Sequence, residues 1–339
     1  MSEPSVPSSP RPLTSAESAA ESNTSPNEVN RSGTAAIVGR ANVGKSTLLN
    51  AALRERLAIV SPTPQTTRDR ILGVLRHGNA QIALVDTPGL HRPRSSLGRR
   101  MNTMARDAAR EADVLVYVTS IPKNIAPPLV PAGRDVELLA QLDEASRVVL
   151  VINKVDLLKK EKSALLGLID AFTKVRSFDA VVPLSARHQD GIELLLDEIA
   201  NLLPERGPAY DDDFLTDRPV RFFVSEFVRE QVILATRQEI PHNVAVTIER
   251  FEQQPHVTCI DARIHCSRDG QRGILIGKGG ERLKMIGTAA RLRIESFLHA
   301  KVHLRLWVST EPGWPESPKA LDSFGYVSLA DGHDSFDGD

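Results

Sequence analysis

Gly39-Arg40-Ala41-Asn42-Val43-Gly44-Lys45-Ser46 is the stretch on which the fold turns. It fits G-x-x-x-x-G-K-[ST], with the apolar run Ala35–Val38 leading in and a helical stretch from Ser46 to about Leu53 leading out. The glycines let backbone N–H groups turn toward a phosphate with no Cβ in the way, and the start of a helix adds partial positive charge. Lys45 is expected to reach the β- and γ-phosphates of a nucleotide. The Ser46 hydroxyl, followed by Thr47, is expected to ligate Mg²⁺.

Outward from this loop, short apolar runs recur at Gln81–Val85, Val114–Val118, Val148–Ile152 and Ala180–Leu184, separated by amphipathic stretches. Runs apolar on both faces read as buried strands and the stretches between as helices. Residues 33–203 should therefore form an α/β domain around a mostly parallel sheet, with its ligand crevice at the strand ends. Asp86-Thr87-Pro88-Gly89 follows one run, 41 residues after Lys45. Asp86 suits the outer shell of Mg²⁺, and the Gly89 N–H suits a γ-phosphate. Asn153-Lys154-Val155-Asp156 follows another run. A carboxylate accepts hydrogen bonds from N1–H and the exocyclic amine of guanine, a donor pair adenine lacks, so Asp156 selects GTP. Ser185-Ala186 offers backbone N–H groups for the remaining guanine-contacting loop.

These four motifs, in this order, resemble the translation-factor-related P-loop GTPases. The resemblance implies GTP hydrolysed to GDP with Mg²⁺. It assigns nucleotide contacts to Gly39–Thr47, to Asp86, Thr87, Pro88 and Gly89, and to Asn153, Lys154, Asp156, Ser185 and Ala186. Catalytic work falls to Lys45, Thr67, Asp86 and Gly89. In that family a threonine between the first and third motifs covers Mg²⁺ and senses the γ-phosphate. Gln65-Thr66-Thr67-Arg68 occupies the interval, with Thr67 the first choice and Thr66 the second. Ras-like enzymes place a water-orienting glutamine just after Asp-x-x-Gly, but Leu90 stands there and can neither donate nor accept. In related GTPases with this substitution the P-loop asparagine helps hold K⁺. Asn42 matches that position, as a K⁺ ligand or as a loop hydrogen-bonder only. His91 is either a water contact or a solvated loop residue.

With 339 residues, 41% hydrophobic and 25% charged, the chain has room for two ordinary globular domains. It has neither an apolar run of about 18 residues nor a signal-like start, so a cytoplasmic protein is expected. Cys259 and Cys266 fit no metal or redox spacing and read as strand residues. Ser and Pro supply 14 of the first 32 residues, so 1–32 is expected to be a disordered tail. Four Glu against two Arg before Ser32 oppose a transit peptide. Residues 204–218, with Pro204, Gly207, Pro208 and Asp211–Asp213, read as a linker.

From Pro219 the pattern changes to a helix ending near Arg237, strand-like runs His242–Phe251 and Val257–Cys266, a helical stretch from Gly277 to Leu298, and a strand Lys301–Val308. In the last, Val302, Leu304, Leu306 and Val308 share one face. The order α-β-β-α-α-β makes 219–309 an α+β domain. A net charge of −1 conceals a patch, since Gly270–Val308 carries eight Lys/Arg against two acids. Such a surplus favours a polyanion. The compensating acids lie in 310–339, whose end is Asp-rich. Ile274-Leu275-Ile276-Gly277-Lys278-Gly279-Gly280 resembles the G-x-x-G loop of type II KH domains, which clamps single-stranded nucleotides. Ile276, Gly277, Lys278, Gly279, Gly280 and Arg282 are the expected RNA contacts.

The whole arrangement, from Ala36 to about Val327, resembles the Era family of bacterial GTPases. Beyond the GTP motifs the resemblance rests on Thr216-Asp217-Arg218, Arg221-Phe222, Glu226, Arg229-Glu230, Glu239-Ile240-Pro241, Val246-Thr247-Ile248-Glu249 and Leu306-Trp307-Val308. It implies a monomeric switch that binds the 3′ end of 16S ribosomal RNA, assists 30S small-subunit assembly and maturation, and associates peripherally with the inner membrane. Departures are the Ser/Pro-rich start, Ala41 where proline is frequent, and the Asp-rich end. The rival expectation is a membrane-associated signalling or cell-cycle switch with incidental RNA binding, which normal ribosome profiles after depletion would favour.

Overall fold

The computed structural model describes residues 29–93, 95–122, 129–158, 162–236 and 240–326. The expected tail up to residue 28 and the acidic end from 327 lie outside the described residues, as do Arg94, Arg237 and Glu239.

The first domain runs β1 (Arg31–Val38), α1 (Lys45–Leu53), β2 (Ile71–His77), β3 (Ala80–Asp86), α2 (Ser96–Glu111), β4 (Val114–Ser120), α3 (Gly133–Leu139), β5 (Val148–Asn153), α4 (Lys162–Thr173), β6 (Ala180–Pro183) and α5 (Ile192–Leu202). The sheet order is β2-β3-β1-β4-β5-β6, with β2 antiparallel to β3 and the other pairs parallel. Alternate residues of β1 serve opposite faces: Ala35 and Ile37 join Leu48 and Ile199, while Ala36 and Val38 join Tyr117 and Phe172. The chain leaves β1, the third strand of six, where its neighbours β3 and β4 diverge in sequence, so the loop after it opens into the ligand crevice.

Two expectations are corrected. The interval before Gln81 is not helical throughout, because Ile71–His77 pairs with β3 through a turn at Gly78, φ 57°. The tail does not extend to Ser32. Arg31 already lies in β1 and donates to the Asn201 and Leu203 carbonyls at 2.8 and 2.9 Å. Residues 204–218, expected as a linker, also pack along the first domain: Gln81 bonds Ala209 N, Tyr210 N and Tyr210 O within 2.9 Å, and Val74 N donates to Leu215 O at 2.9 Å.

The second domain runs α6 (Val220–Ala235), β7 (Val244–Gln253), β8 (Thr258–Cys266), α7 (Asp269–Ile276), α8 (Glu281–Leu298) and β9 (Val302–Thr310), followed by α9 (Pro318–Ser323). Its sheet order is β7-β8-β9, antiparallel then parallel. Phe223, Phe227 and Phe297 pack α6 on α8, with ring centroids 5.1 to 6.5 Å apart. Residues 240–243 form a 3-10 turn rather than the start of the expected strand, and β7 begins at Val244. Helix α7 begins at Asp269, ahead of the helical stretch expected from Gly277, and the glycine loop lies between the two later helices as the order α-β-β-α-α-β implies. The segment after β9 returns to the first domain. Trp314 and Leu321, both fully buried, pack with Leu97, Met101 and Met104 of α2, and Trp314 Nε1 donates to Asn243 O at 3.1 Å.

Candidate functional site

The P-loop conformation requires its glycines. Gly39 has φ 142°, and a Cβ there would lie 2.3 Å from the Val118 carbonyl oxygen; at Gly44, φ 104°, it would lie 2.3 Å from Asn153 Nδ2. Lys45 Nζ spans the loop, donating to the carbonyls of Gly39 at 3.2 Å and Arg40 at 3.0 Å. Burial lowers its pKa to about 8 against an upward pull from Asp86. A phosphate in the loop would favour the charged form. The Arg40 side chain turns away, its Nε donating to Asp135 Oδ1 at 2.7 Å. Asp135, fully buried, also accepts from Tyr117 and Thr119 at 3.0 Å, so α3 anchors the loop to β4.

Ser46 Oγ lies 2.7 Å from Thr67 Oγ1 and 2.7 Å from Asp86 Oδ2, and Thr67 Oγ1 is 3.3 Å from Asp86 Oδ2. Asp86 is fully buried and its Oδ1 has no hydrogen-bond partner. Burial raises its pKa; Lys45, Ser46 and Thr67 pull it back down. A buried carboxylate oxygen without a donor, beside two hydroxyls, fits Mg²⁺, a hard cation that retains waters and takes few protein ligands. Thr67, not Thr66, stands in this group. Thr66 instead bonds Ser61 Oγ at 2.8 Å and Thr63 O at 2.7 Å.

Gly89 sits against the P-loop, where a Cβ would meet Ala41 Cα at 2.8 Å. His91 Nδ1 lies 3.0 Å from the Gly89 carbonyl. The backbone of His91 is held on both sides by Asn102 of α2, at 3.3 Å from its N–H and 2.7 Å from its carbonyl. Asn42, φ 63°, donates from Nδ2 to the Pro62 carbonyl at 3.1 Å. This bond ties the P-loop to the segment that leads to Thr67.

Asn153 knits the base-binding strand ends together. Its Nδ2 donates to Val43 O at 2.9 Å, and its Oδ1 accepts from Lys154 N at 2.7 Å and Ala186 N at 3.1 Å. Lys154 Nζ donates to Asn42 O at 2.6 Å. Asp156 is oriented by Ser185, whose Oγ donates to Oδ1 at 2.6 Å, while its Oδ2 lies 3.9 Å from His188 Nε2.

The second glycine loop also uses positive φ, at Gly277 (73°), Gly279 (59°) and Gly280 (81°). Arg282 donates from Nη1 to Ile274 O at 2.5 Å, closing the loop across its base. Beside it lies a groove of 390 Å³ between α8 and β9, with Leu283, Leu304 and Leu306 as floor and Lys284 and Arg291 at the rim. β9 is an edge strand, so its backbone groups face the groove side unpaired. Arg68, Asn102, Asp135 and Arg229 were given no role from sequence. Arg68 and Arg229 stand in stretches quoted from sequence, Gln65-Thr66-Thr67-Arg68 and Arg229-Glu230, but neither stretch shows what the arginine does.

The profile of 50S ribosome-binding GTPases matches residues 34–154 and that of the KH domain residues 239–314. GTPase Era of Ruminiclostridium cellulolyticum is 40% identical over 298 residues, covering 87% of this chain and 97% of the relative. Among solved structures, a variant of Aquifex aeolicus Era bound to GDP and aluminium fluoride is 36% identical with TM-score 0.82, covering 88% of this chain and 99% of its own. Era in complex with MgGDPNP and nucleotides 1506–1542 of 16S ribosomal RNA gives the same identity, TM-score and coverage.

Proposed function

This chain belongs to the Era family of GTPases, and from that premise we propose that it is a GTP-driven switch that binds the 3′ region of 16S ribosomal RNA and assists 30S small-subunit assembly and maturation. The observation that carries this reading is the groove beside Gly277–Gly280, apolar in its floor and cationic at its rim, on the same chain as the nucleotide crevice. Its support is the Era structure in complex with MgGDPNP and a 16S fragment, whose fold matches 88% of this chain.

Lys45 binds the phosphates and Asp156 the guanine. Ser46, Thr67 and Asp86 would hold Mg²⁺, which neutralises charge developing on the phosphate oxygens. Leu90 cannot orient water as a glutamine at that position would, so hydrolysis relies on other groups, which makes turnover slow and suits a timer. Asn42, whose Nδ2 is bonded to the Pro62 carbonyl at 3.1 Å, would hold K⁺ near the transferring phosphate through its side-chain oxygen. Turnover in KCl should exceed that in NaCl at equal ionic strength, and equal rates would refute a K⁺ role.

The protein works in the cytoplasm as a monomer, associating peripherally with the membrane. Among the described residues no helix is long and apolar enough to cross one. The RNA assignment is tested by replacing Lys278 and Gly279 with Asp. At Gly279 a Cβ would meet nothing within 4 Å, but its φ of 59° strains a side chain by about 1–2 kcal/mol, a cost Asp bears better than most residues, and GTP turnover without RNA reports that the fold survives. Exchanging a phosphate contact for two repelling carboxylates should lower RNA affinity about 100-fold or more while GTP turnover without RNA stays near wild type. RNA binding that survives the change removes the groove from the reading.

A further inference from the structure

The switch segment that carries Thr67 is held on both sides by the second domain. The Thr66 carbonyl accepts from Arg229 Nη2 of α6 at 2.6 Å. On the other side the Arg68 guanidinium donates to the carbonyls of Val244 at 2.6 Å, His242 at 2.9 Å and Pro241 at 3.0 Å, and to the Tyr326 hydroxyl at 3.2 Å. Further back, Glu230 accepts from Val60 N at 3.4 Å. Thr67 itself faces the first domain, on Ser46 and Asp86. The peptide between Thr66 and Thr67 is planar and trans, so fixing its carbonyl toward α6 points the Thr67 N–H the opposite way.

We infer that Arg229 is a positioning residue for GTP binding and hydrolysis, contributed by the second domain, which sets Thr67 through the Thr66 carbonyl. Arg229 is 1% exposed, and its Nε and Nη2 also reach Glu226 at 2.7 and 2.5 Å. Its Nη1 is buried without a partner. An apolar side chain of similar volume would fill this site without burying an unsatisfied donor, so packing alone does not explain a guanidinium here. A charge-assisted bond to a backbone carbonyl, shielded from water, does what an apolar side chain cannot: it fixes one peptide's orientation. The GTP-competent arrangement of Thr67 thereby depends on how the second domain sits. By reciprocity, GTP bound through Thr67 biases that domain's placement and with it the KH groove.

The inference rests on Thr67 as the residue that distinguishes GTP from GDP, so Thr67→Ala is included to test that reading separately. Affinity for a non-hydrolysable GTP analogue with Mg²⁺, affinity for GDP, and kcat are measured on the full chain for Thr67→Ala, Arg229→Met, Arg229→Lys and Thr67→Ala with Arg229→Met. Arg229→Met should weaken the GTP analogue and lower kcat about 10- to 100-fold, the worth of one charge-assisted hydrogen bond, with GDP affinity unchanged. Lys can reach the carbonyl but not grip Glu226 with a fork, so Arg229→Lys should recover part of the loss. The double variant should be no worse than Thr67→Ala. A wild-type GTP-to-GDP ratio in Arg229→Met, or additive losses, overturns the inference while leaving Thr67 in place. An unaffected ratio in Thr67→Ala overturns the reading beneath it. Should Arg229→Met fail to bind GDP, Arg229→Lys decides: a lowered GTP-to-GDP ratio with GDP affinity intact supports the inference, and a wild-type ratio sinks it.

Discussion

Asp156→Asn should lose about 10²- to 10⁴-fold in GTP affinity and gain affinity for xanthosine triphosphate. In the proposed site the carboxylate would accept from two guanine N–H donors, each charge-assisted bond worth about 1.5–3 kcal/mol, and about 1.4 kcal/mol is a factor of ten. The amide keeps one acceptor and presents a donor where guanine presents its own, so one bond is lost and a repulsion added. Xanthine carries a carbonyl in place of the guanine amine and meets that donor correctly. The exchange is nearly isosteric, and Ser185 Oγ, 2.6 Å from Oδ1, can still hold the remaining oxygen. Neither Lys45 nor Asp86 touches Asp156, so kcat with saturating xanthosine triphosphate should approach the wild-type value with GTP. Competition binding with both nucleotides checks this. Unchanged preference for GTP would move base recognition elsewhere.

The legible parts of this protein were those where one residue type answers a local demand. A loop with φ 142° at Gly39 and 104° at Gly44, followed by a lysine that caps its carbonyls, can be inferred from eight letters because the backbone itself imposes them. The buried strands were legible for a similar reason, being apolar on both faces. β2 was not: Gly73 interrupts the run and only pairing with β3 makes it a strand, although the Gly78-Asn79 turn was a signal available beforehand. Arg68 and Arg229 were invisible as functional residues because their partners are carbonyls more than 160 positions away, and any residue offers a carbonyl. Trp314, fully buried against α2, escaped notice likewise. Its segment has no periodicity of its own and is organised by the domain interface it fills.

Asp86→Asn is expected to separate nucleotide binding from metal-dependent chemistry. The carboxylate is fully buried, its Oδ2 shared by Ser46 and Thr67 and its Oδ1 unpartnered. Asn retains an oxygen for the two hydroxyls but brings no charge to Mg²⁺. Mg²⁺ supplies several kcal/mol of transition-state stabilisation in such sites, so turnover should fall about 100-fold or more and the Mg²⁺-dependent gain in GTP affinity should disappear. Without metal the outcome reverses. Removing a negative charge near the phosphates should leave GTP affinity at pH 6.5 equal to or above wild type, which also shows that the crevice is folded. A third readout follows from Lys45, whose pKa burial lowers to about 8 while Asp86 pulls it upward. Phosphate binding favours the protonated lysine, so metal-free GTP affinity should decline as pH rises through about 8 in the wild type. With the carboxylate gone the lysine is held less firmly charged, and that decline should begin at lower pH. Titrations across pH with and without Mg²⁺ read all three effects. A variant that keeps the wild-type Mg²⁺ gain would show that Asp86 is not the group that holds the metal.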